Sequence, residues 1–396
     1  MESVIVKDNW HQVPFSEAVL IDPSVELKRG QPYSYIEMKD LTPNDRYARP
    51  SRVKPWSGGS RFAERDILFA RITPCLENGK IAQAVGLEGK VGFGSTEFIV
   101  MRGRPGVSDT EFVHYLSISE PVRRHAEKSM SGTSGRQRAS VAAFDALNID
   151  LPPLPIQRRI ADILGALDDK IECNRRINQT LEAMAQALYK HWFANSESGE
   201  IPDGWQAGKL GDIAENVRVA ADPRNVPSET PYIGLEHMPR GSIALSEWGT
   251  AKDVTSNKSE FHRKQILFGK LRPYFKKVGV APTDGVCSSD ILVIQPRSQN
   301  SFGLVLCQLI QDEFIGFTEM SSGGTKMPRI SWEQMARYPI AIPPENMMMQ
   351  FNSQIEPWVE IIISNVKENQ TLTRTRDYLL PKLLSGEVEV RATGRA

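Results

Sequence analysis

The sequence predicts a mixed α/β protein with two duplicated globular domains, each followed by a long helix, and with the two helices paired as an antiparallel coiled coil. Two segments repeat at a distance of 191 residues. Leu151-Pro152-Pro153 returns as Ile342-Pro343-Pro344, and Asn178-Gln179-Thr180-Leu181 returns as Asn369-Gln370-Thr371-Leu372. A repeat of about half the chain indicates a tandem duplication. An internal two-fold axis between the duplicates would make the helix pairing antiparallel.

The composition is that of a globular protein without an overall charge bias. The 396 residues suggest two or three domains, and 48 basic residues balance 48 acidic ones. Neutrality does not exclude nucleic acid, because clustering of charge matters more than its sum. The four cysteines lie far apart, without metal-ligand spacing, and indicate reduced, mostly buried thiols and no metal site. We expect a cytoplasmic protein without a membrane span, since no run reaches roughly 18 apolar residues.

The landmarks divide the chain into two pairs of regions. Residues 1–150 and 201–341 form the globular domains, and residues 151–200 and 342–396 form the helical regions. Short β-rich runs punctuated by Gly, Pro and Ser recur in both domains. Ile67-Leu68-Phe69 matches Ile266-Leu267-Phe268, and Ser95-Thr96-Glu97 matches Ser288-Ser289-Asp290. Elsewhere the domains diverge, as two recognition modules with different targets would.

Apolar residues at spacings of three and four predict the helices. A helix of about 40 residues spans roughly 60 Å. Pro357 lies among the early turns of the second helix, where a proline can kink it, and we expect that helix to stop near Pro381. Asn174, Asn178 and Asn369 fall on or beside the seam, where they either fix the register or touch water at its edge. The predicted pairing or subunit-docking residues are Ile160, Ile163, Leu167, Ile171, Asn178 and Leu181, with Phe351, Ile355, Ile362, Asn369 and Leu372; Met184, Leu188, Trp192, Val359 and Val366 extend the stripes.

The sequence lacks the motifs of an enzyme. It has no phosphate-binding loop, no paired-histidine zinc motif and no nucleophile elbow. Val91-Gly92-Phe93-Gly94 lacks the third glycine of a nucleotide-binding turn. Pro343-Pro344 is followed by Glu345, which has no ring to stack a flipped base. We therefore expect no catalytic residues.

Basic clusters interleaved with aromatic residues indicate binding to nucleic acid, through phosphates and base edges. Glycine-rich loops around residues 131–138 and 321–326 correspond between the domains and carry Ser, Thr, Lys and Arg donors. The alternative is that these residues form a charged face that only contacts water. This alternative loses support because the loops correspond between the two domains. The candidates for DNA binding are Arg52, Lys54, Arg61, Arg71, Ser134, Arg136 and Arg138 in the first domain, and Lys264, Lys270, Arg272, Ser322, Thr325, Lys326 and Arg329 in the second.

Several segments resemble the specificity subunit of type I restriction-modification systems over nearly the whole chain. They include Leu151-Pro152-Pro153 with Gln157, and Ile160-Ala161 with Leu167-Asp168. Similar segments are Ser95-Thr96-Glu97-Phe98, Ile330-Ser331-Trp332 and Leu379-Leu380-Pro381-Lys382-Leu383-Leu384-Ser385-Gly386-Glu387. Glu345-Asn346-Met347-Met348-Met349 departs from the acidic, glutamine-bearing turn that the family usually has there.

This resemblance implies that each domain is a target-recognition domain for one half of a bipartite, asymmetric DNA sequence. The helices would set the spacer and dock methyltransferase subunits, two of them if there is one per repeat. S-adenosylmethionine would bind to the methyltransferase subunits, and ATP and Mg to restriction subunits. This chain would hold no cofactor. One alternative is the specificity subunit of a stand-alone methylation or combined methylase-nuclease system. The others are an enzyme in its own right and a structural coiled-coil adapter without DNA binding.

Overall fold

The computed structural model describes residues 9–133, 135–193, 201–323 and 327–391. The chain divides into two compact units. The first comprises Met1–Lys170 with Leu372–Ala396, and the second comprises Ile171–Thr371. Each unit therefore holds one globular domain together with part of each long helix, whereas the sequence predicted separate helical regions.

The first and last strands of the first domain pair with each other, so the chain enters and leaves the domain at adjacent positions. Its strands are β1 (His11–Pro14), β2 (Val19–Ile21), β3 (Pro32–Ile36), β4 (Tyr47–Ala48), β5 (Arg52–Pro55), β6 (Ser60–Ala63), β7 (Ile67–Ala70), β8 (Ile81–Ala84), β9 (Val91–Gly94), β10 (Phe98–Gly103) and β11 (Asn148–Leu151). Its helices are α1 (Phe15–Ala18), α2 (Thr110–Ile118) and α3 (Glu120–Lys128), and α4 (Leu154–Phe193) follows it. Strand β1 pairs antiparallel with β11, immediately before α4.

The second domain repeats this plan. Its strands are β12 (Gln206–Lys209), β13 (Ala214–Asn216), β14 (Ala220–Ala221), β15 (Pro231–Ile233), β16 (Gly249–Thr250), β17 (Lys258–Phe261), β18 (Ile266–Gly269), β19 (Val278–Val280), β20 (Gly285–Cys287), β21 (Ile291–Pro296) and β22 (Pro339–Ile342). Its helices are α5 (Leu210–Ile213), α6 (Phe302–Leu309), α7 (Asp312–Ser321) and α8 (Trp332–Met335), and α9 (Glu345–Leu384) follows it. Strand β12 pairs antiparallel with β22.

Both domains contain two sheets of matching topology. The first sheet has the order β2-β10-β7-β8-β4 in one domain and β13-β21-β18-β19 in the other. In the second sheet β9 lies parallel to β3 and antiparallel to β6, just as β20 lies parallel to β15 and antiparallel to β17. The two domains that the sequence predicts to be duplicates thus share the order and direction of their corresponding strands.

The matched strands β7 and β18 explain where the hydrophobic cores lie. Side chains alternate between the faces of a strand. Ile67 and Phe69 enter one buried cluster while Leu68 enters another, and residues 266–268 divide in the same way. Because both faces are covered, these strands are continuous apolar runs, which made them visible in the sequence.

The buried stripe of α4 lies one position away from the stripe predicted. Predicted Ile160 and Ile171 are buried, but Ile163, Leu167, Leu181, Leu188 and Trp192 are only half-buried, and Met184 is 45% exposed. Asn178 and Asn174, predicted on or beside the seam, are also buried, and the stripe otherwise runs through Leu164, Asp168, Glu182, Ala185 and Tyr189. Polar residues occupy much of this face, so a search for apolar spacing selected the neighbouring positions.

The buried stripe of α9 agrees better with its prediction. Phe351, Ile355, Val359, Ile362 and Val366 are buried, and Asn369 and Leu372 are half-buried. The helix continues through Pro357 and past Pro381 to end at Leu384, three residues beyond the predicted stop. Helices α4 and α9 are both 40 residues long, and each end of one lies 191 residues from the corresponding end of the other.

Within the second unit the two helices pair antiparallel through asparagines. The Asn174 amide donates to Asn369 at 2.9 Å and to Glu368 at 2.7 Å, and the Asn365 amide donates to Asn178 at 2.8 Å. Four residues forward along α4 therefore correspond to four residues back along α9. Asn174 and Asn178 are the repeat equivalents of Asn365 and Asn369, so the pairs are reciprocal, as an internal two-fold axis requires. The register-fixing interpretation of these asparagines is thus supported, whereas Asn365 was not predicted.

Within the first unit a buried ion pair joins the same two helices. Arg376 donates to Asp168 at 2.7 Å, and both side chains are less than a tenth exposed. The Tyr115 hydroxyl donates to the other oxygen of Asp168 at 2.7 Å. The repeat equivalents of this pair, Val359 and Ala185, are buried in the core of the second unit, so the two halves of the helix pairing differ in chemistry.

The cysteines are free, and Cys287 and Cys307 are buried while Cys75 is half-buried and Cys173 is exposed. Burial raises the pKa of both buried thiols to about 12. Among the described residues, no helix is both long and apolar enough to cross a membrane.

Candidate nucleic-acid interface

The predicted loops of the two domains, here called the hairpins, are closed at their bases by equivalent antiparallel bridges. Ser131 and Arg138 exchange two backbone hydrogen bonds of 3.1 and 3.0 Å, and Gly323 and Arg329 exchange two of 3.2 and 3.0 Å. These reciprocal bonds close each loop at its base. The correspondence that the sequence suggested between the loops is therefore present in the backbone.

Each hairpin is fastened to the end of a core strand. The amide of Ala139 donates to the carbonyl of Arg71 at 2.8 Å, and the amide of Ile330 donates to the carbonyl of Lys270 at 3.2 Å. Arg71 follows β7 and Lys270 follows β18. The predicted basic residues at the two strand ends therefore occupy equivalent positions beside the hairpins.

An acidic residue in a serine turn completes each site. The Ser95 hydroxyl accepts the amide hydrogen of Glu97 at 3.1 Å, and Ser288 accepts that of Asp290 at 3.3 Å. Such hydroxyl-to-backbone bonds stabilise tight turns. The carbonyls of Glu97 and Asp290 in turn accept the amides of Arg71 and Lys270, at 3.0 and 2.8 Å. These turns hold one carboxylate beside each hairpin.

The carboxylates bind the hairpin arginines. Arg138 donates from Nε and Nη2 to both oxygens of Glu97, at 2.6 to 3.0 Å. Arg329 donates from Nη2 to Asp290 at 2.7 Å. The hydrogen bonds from Arg138 lower the pKa of Glu97. Both arginine side chains remain about half exposed, at 48% and 56%, so each guanidinium is oriented from one side and accessible from another.

Burial lowers the pKa of Lys270, and the nearby guanidinium groups of Arg329 and Arg218 lower it further, against the attraction of Asp290. The Nη2 of Arg71 donates to the Ala139 carbonyl at 2.8 Å. Lys270 and Arg71, both predicted to bind DNA, thus lie beside the hairpins. The Arg71 guanidinium is also hydrogen-bonded to the hairpin of its own domain.

Lys264 lies apart from the hairpin of its domain. Its ammonium pairs with Glu356 and, at 3.0 Å, with Glu360 on α9, while Arg263 also pairs with Glu360. Its charge is therefore already compensated within the second unit. This placement favours a role in holding the domain against its helix, in place of the predicted DNA contact.

The first domain has an equivalent attachment. Arg46 donates to the Gly165 carbonyl and to Asp169, both at 3.2 Å. Positions 165 and 169 on α4 are the repeat equivalents of Glu356 and Glu360. A Cβ at Gly165 would lie 2.8 Å from an Arg46 nitrogen, so a larger residue here would require the Arg46 guanidinium to move. Each domain is thus clamped at the same two helix positions.

The remaining candidates of the first domain lie on aromatic rings or at a loop surface. Lys54 and Arg52 lie 4.0 and 5.4 Å from the ring centre of Tyr35, and Arg61 lies 5.6 Å from that of Trp56. Cation–π contact restricts each head group without neutralising it. Arg52 also pairs with Glu37, so its charge is partly compensated. Arg136 is exposed on the hairpin.

In the second domain Arg272 is exposed and adopts a positive φ of 49° before the turn Pro273–Phe275. Ser322 donates its hydroxyl to the Thr318 carbonyl at 2.6 Å and is half-buried. Its hydrogen is therefore committed within the domain. The predicted contacts Ser134, Thr325 and Lys326 lie outside the described residues.

Sequence reasoning did not identify Glu97 and Asp290 as site residues. They were quoted only as landmarks, because each lies about 40 positions from its arginine partner (41 and 39). The signal that could have found them is an acid at the same position of both repeats, together with an arginine 191 residues apart in both loops.

The outer face of α4 carries a shallow groove of about 500 Å³ within the second unit, lined by Arg176, Gln179, Thr180, Ala183, Met184 and Ala187. Met184 in this groove is 45% exposed, and Ile177, also on α4, is 39% exposed. Apolar side chains outside the helix pairing mark a face available to a partner.

Known proteins share this organisation. The family described as type I restriction modification DNA specificity domain matches residues 27–183 and again residues 202–357. The type I restriction enzyme MjaIX specificity subunit of Methanocaldococcus jannaschii is 27% identical over 71% of this chain and 69% of its own length. The HindI specificity subunit of Haemophilus influenzae is 25% identical over 85% of this chain and 90% of its own.

A solved structure agrees on the fold. The crystal structure of a type I restriction-modification system S subunit from M. genitalium has a TM-score of 0.52 at 15% identity, covering 95% of this chain and 96% of that one. The two family matches together span more than half of the sequence, and each covers most of one duplicated domain and part of the helix that follows it. The chain therefore belongs to the family of type I restriction-modification DNA specificity proteins.

Proposed function

We propose that this chain is the DNA specificity subunit of a type I restriction-modification complex and that it recognises a bipartite, asymmetric DNA sequence. Each globular domain reads one half-site. The observation that carries this proposal is the matched hairpin, carboxylate and arginine of the two domains, set in surroundings that differ between them. A shared framework with different neighbouring side chains suits two modules that bind DNA alike but read different bases.

The paired helices set the spacer between the half-sites. Two helices of 40 residues are each roughly 60 Å long at 1.5 Å per residue. The reciprocal asparagine pairs support a single register, since a buried amide that loses its partner costs free energy in every shifted register. A fixed register is what a spacer of fixed length requires.

The helices also dock methyltransferase subunits, two in number if each repeat supplies one site. The exposed groove around Met184 supports this assignment for the second unit. Catalysis belongs to the partners, with S-adenosylmethionine on the methyltransferase subunits and ATP and Mg on the restriction subunits. The role of this chain is to position them on double-stranded DNA, and it holds no cofactor of its own.

Domain exchange tests the proposal. The chain is produced with its methyltransferase subunit, and the methylated sequence is read from genomic DNA by methylome sequencing. Replacing residues 201–341 by the corresponding domain of a relative should change one half-site and leave the other and the spacer unchanged. A change in both half-sites, or the absence of a bipartite methylated sequence for the native chain, would contradict the two-module function.

A further inference from the structure

Each domain holds an equivalent arginine with one carboxylate: Arg138 through Nε and Nη2, and Arg329 through Nη2. Each lies at the base of a hairpin and is bound by a carboxylate from a serine turn, which lies between β9 and β10 in one domain and between β20 and β21 in the other. Elsewhere on the candidate surfaces the basic residues differ between domains. The chemistry of this repeated pair therefore bears on what the two modules have in common.

Two kinds of DNA contact are open to such an arginine, and the carboxylate distinguishes them. A phosphate contact depends on net positive charge. Glu97 and Asp290 each place a negative charge within 2.7 Å of the guanidinium, so the pair is nearly neutral and the acid repels a nearby phosphate. Bidentate hydrogen bonding to a base depends on direction instead of net charge. The pairing thus weakens the first kind of contact and leaves the second intact.

The donors of Arg138 fit this second kind. Glu97 engages Nε and Nη2 along one edge of the guanidinium. A guanidinium has five N–H donors in a fixed plane, so the Nη1 end retains two donors and Nη2 one. Two parallel donors at the end of the fork match the O6 and N7 acceptors of guanine in the major groove. The carboxylate also holds the plane in place before DNA arrives, which lowers the entropy lost on binding.

We propose that Arg138 and Arg329 are specificity-determining residues, each reading one guanine of its own half-site, with Glu97 and Asp290 as the positioning residues that orient them. This proposal rests on the function proposed above. It adds that both half-sites contain a G·C pair recognised in the same manner, whatever the other bases are.

The test uses the full chain together with its methyltransferase subunit. The motif methylated by the native complex is compared with the motifs of Arg138→Lys and Arg329→Lys, which keep the charge but lose the bidentate fork. We expect Arg138→Lys to relax one G·C position of one half-site and Arg329→Lys to relax one of the other. The unaltered half-site in each variant is the matched control, and its unchanged sequence shows that the protein is folded.

A second measurement uses the native complex alone. Replacing the assigned guanine by 7-deazaguanine removes the N7 acceptor, and we expect the affinity to fall roughly tenfold or more, on the scale of one good base contact. In Arg138→Lys the same replacement in the corresponding half-site should have little further effect. Equal losses on all sequences with an unchanged motif and a smaller salt dependence would overturn base reading in favour of phosphate contact.

A native half-site without a G·C pair would also overturn the inference, although the two-module function would stand. A native complex that methylates no bipartite sequence would instead overturn the proposed function. The two failures are therefore distinguishable.

Discussion

At the scale of single residues, charge compensation separates the basic side chains that can bind phosphate from those that cannot. Lys264 is paired with two carboxylates of α9, whereas Arg272 is exposed in the turn before Pro273–Phe275. Both were predicted to bind DNA from the density of basic residues in the sequence. Only the folded chain shows which of them has a nearby acid.

This difference leads to a prediction on salt dependence. Arg272→Ala should reduce the slope of log affinity against log salt by about one unit, as expected for a lost phosphate contact. Lys264→Ala should leave the slope unchanged and destabilise the second unit by roughly 0.5–1 kcal/mol, the scale of a partly exposed ion pair. Binding titrations at several salt concentrations, with urea unfolding, measure both. An equal change of slope in the two variants would show that Lys264 also contacts DNA phosphate.

The Glu97–Arg138 pair leads to a prediction on pH. The pKa of Glu97 is lower in the folded protein than its ordinary value. The stabilisation of the pair is therefore complete above the ordinary carboxyl pKa of about 4.3 and is lost only as the pH falls through the lower folded value. We expect discrimination between matched and mismatched duplexes to be constant from about pH 5 to 8.

Affinities of native protein and Glu97→Gln for both duplexes across this range test the prediction. The variant lacks the titrating group, and its discrimination should be weaker at every pH. Loss of discrimination by the native protein between pH 7 and pH 5 would show that another group orients Arg138.

At the scale of elements, the sequence predicted what apolar patterns specify and missed what polar contacts specify. Strands β7 and β18 were found because both of their faces are buried. Much of the seam of α4 was predicted one position away, because Asp168 is a buried polar residue that an apolar search passes over. Asn174 and Asn178 were placed on or beside the seam, but the contacts of these three polar residues were not predicted. Their partners lie about 190 to 210 residues away (Arg376, Asn369 and Asn365), so no local pattern reveals them.

One consequence concerns the start of the helices. Gln157 is fully buried, accepts the Asp109 amide at 2.9 Å and donates to the carbonyls of Val107 and Pro152. The second helix has Met348 at the equivalent position, which the sequence suggested as a departure. There Asn352 accepts the Gly303 amide at 2.9 Å. A different side chain, four residues later, thus fastens α9 to its own domain.

The buried pair Asp168–Arg376 allows a prediction on stability. Arg376→Met should lower the free energy of unfolding by roughly 3–5 kcal/mol, because it leaves a buried carboxylate without its counter-charge. Replacing both residues by their repeat equivalents, Asp168→Val with Arg376→Ala, should recover most of this loss. About 1 kcal/mol should remain missing, since the Tyr115 hydroxyl loses its acceptor.

Urea unfolding of the full chain measures these changes through the transition midpoint. The matched control is Arg374→Ala, two residues earlier on the same helix, where the side chain is exposed. We expect less than about 0.5 kcal/mol there. Equal losses in the single and double variants would show that the ion pair itself, and not its unpaired remnant, is what stabilises the helix pairing.

At the scale of the whole molecule, duplication explains both the symmetry of the framework and the differences upon it. Topology, hairpins, helix lengths and clamp positions repeat at nearly constant offset. The side chains that complete them do not, as Arg46 with Asp169 and Lys264 with Glu360 show. Sequence reasoning recovered the repeat because backbone-determining residues are retained. It could not assign the surface, because each surface is specific to one copy.

The proposed spacer function leads to a prediction on helix length. Because pairing is antiparallel, shortening it without a change of register requires removing facing heptads from both helices. Deleting residues 166–172 together with residues 371–377 removes Asp168 and Arg376 jointly, so no buried charge is left unpaired. Seven helical residues span roughly 10 Å, or about three base pairs at 3.4 Å each. We expect the original spacing to be lost, and any remaining methylation to occur at half-sites of unchanged sequence separated by about three base pairs less.

The control is the deletion of residues 166–172 alone, which removes Asp168 and leaves Arg376 buried without its counter-charge. It also shifts α4 by seven residues against α9 on one side of the deletion, so it should abolish recognition of the original spacing. Circular dichroism and urea unfolding establish that the double deletion is folded, and methylome sequencing reads its spacer. A folded double-deletion variant that still methylates the original spacing would mean that the helices do not determine the distance between half-sites. The DNA-reading domains would then have to be positioned by the partner subunits, and the reciprocal asparagine register would serve only the stability of the helix pair.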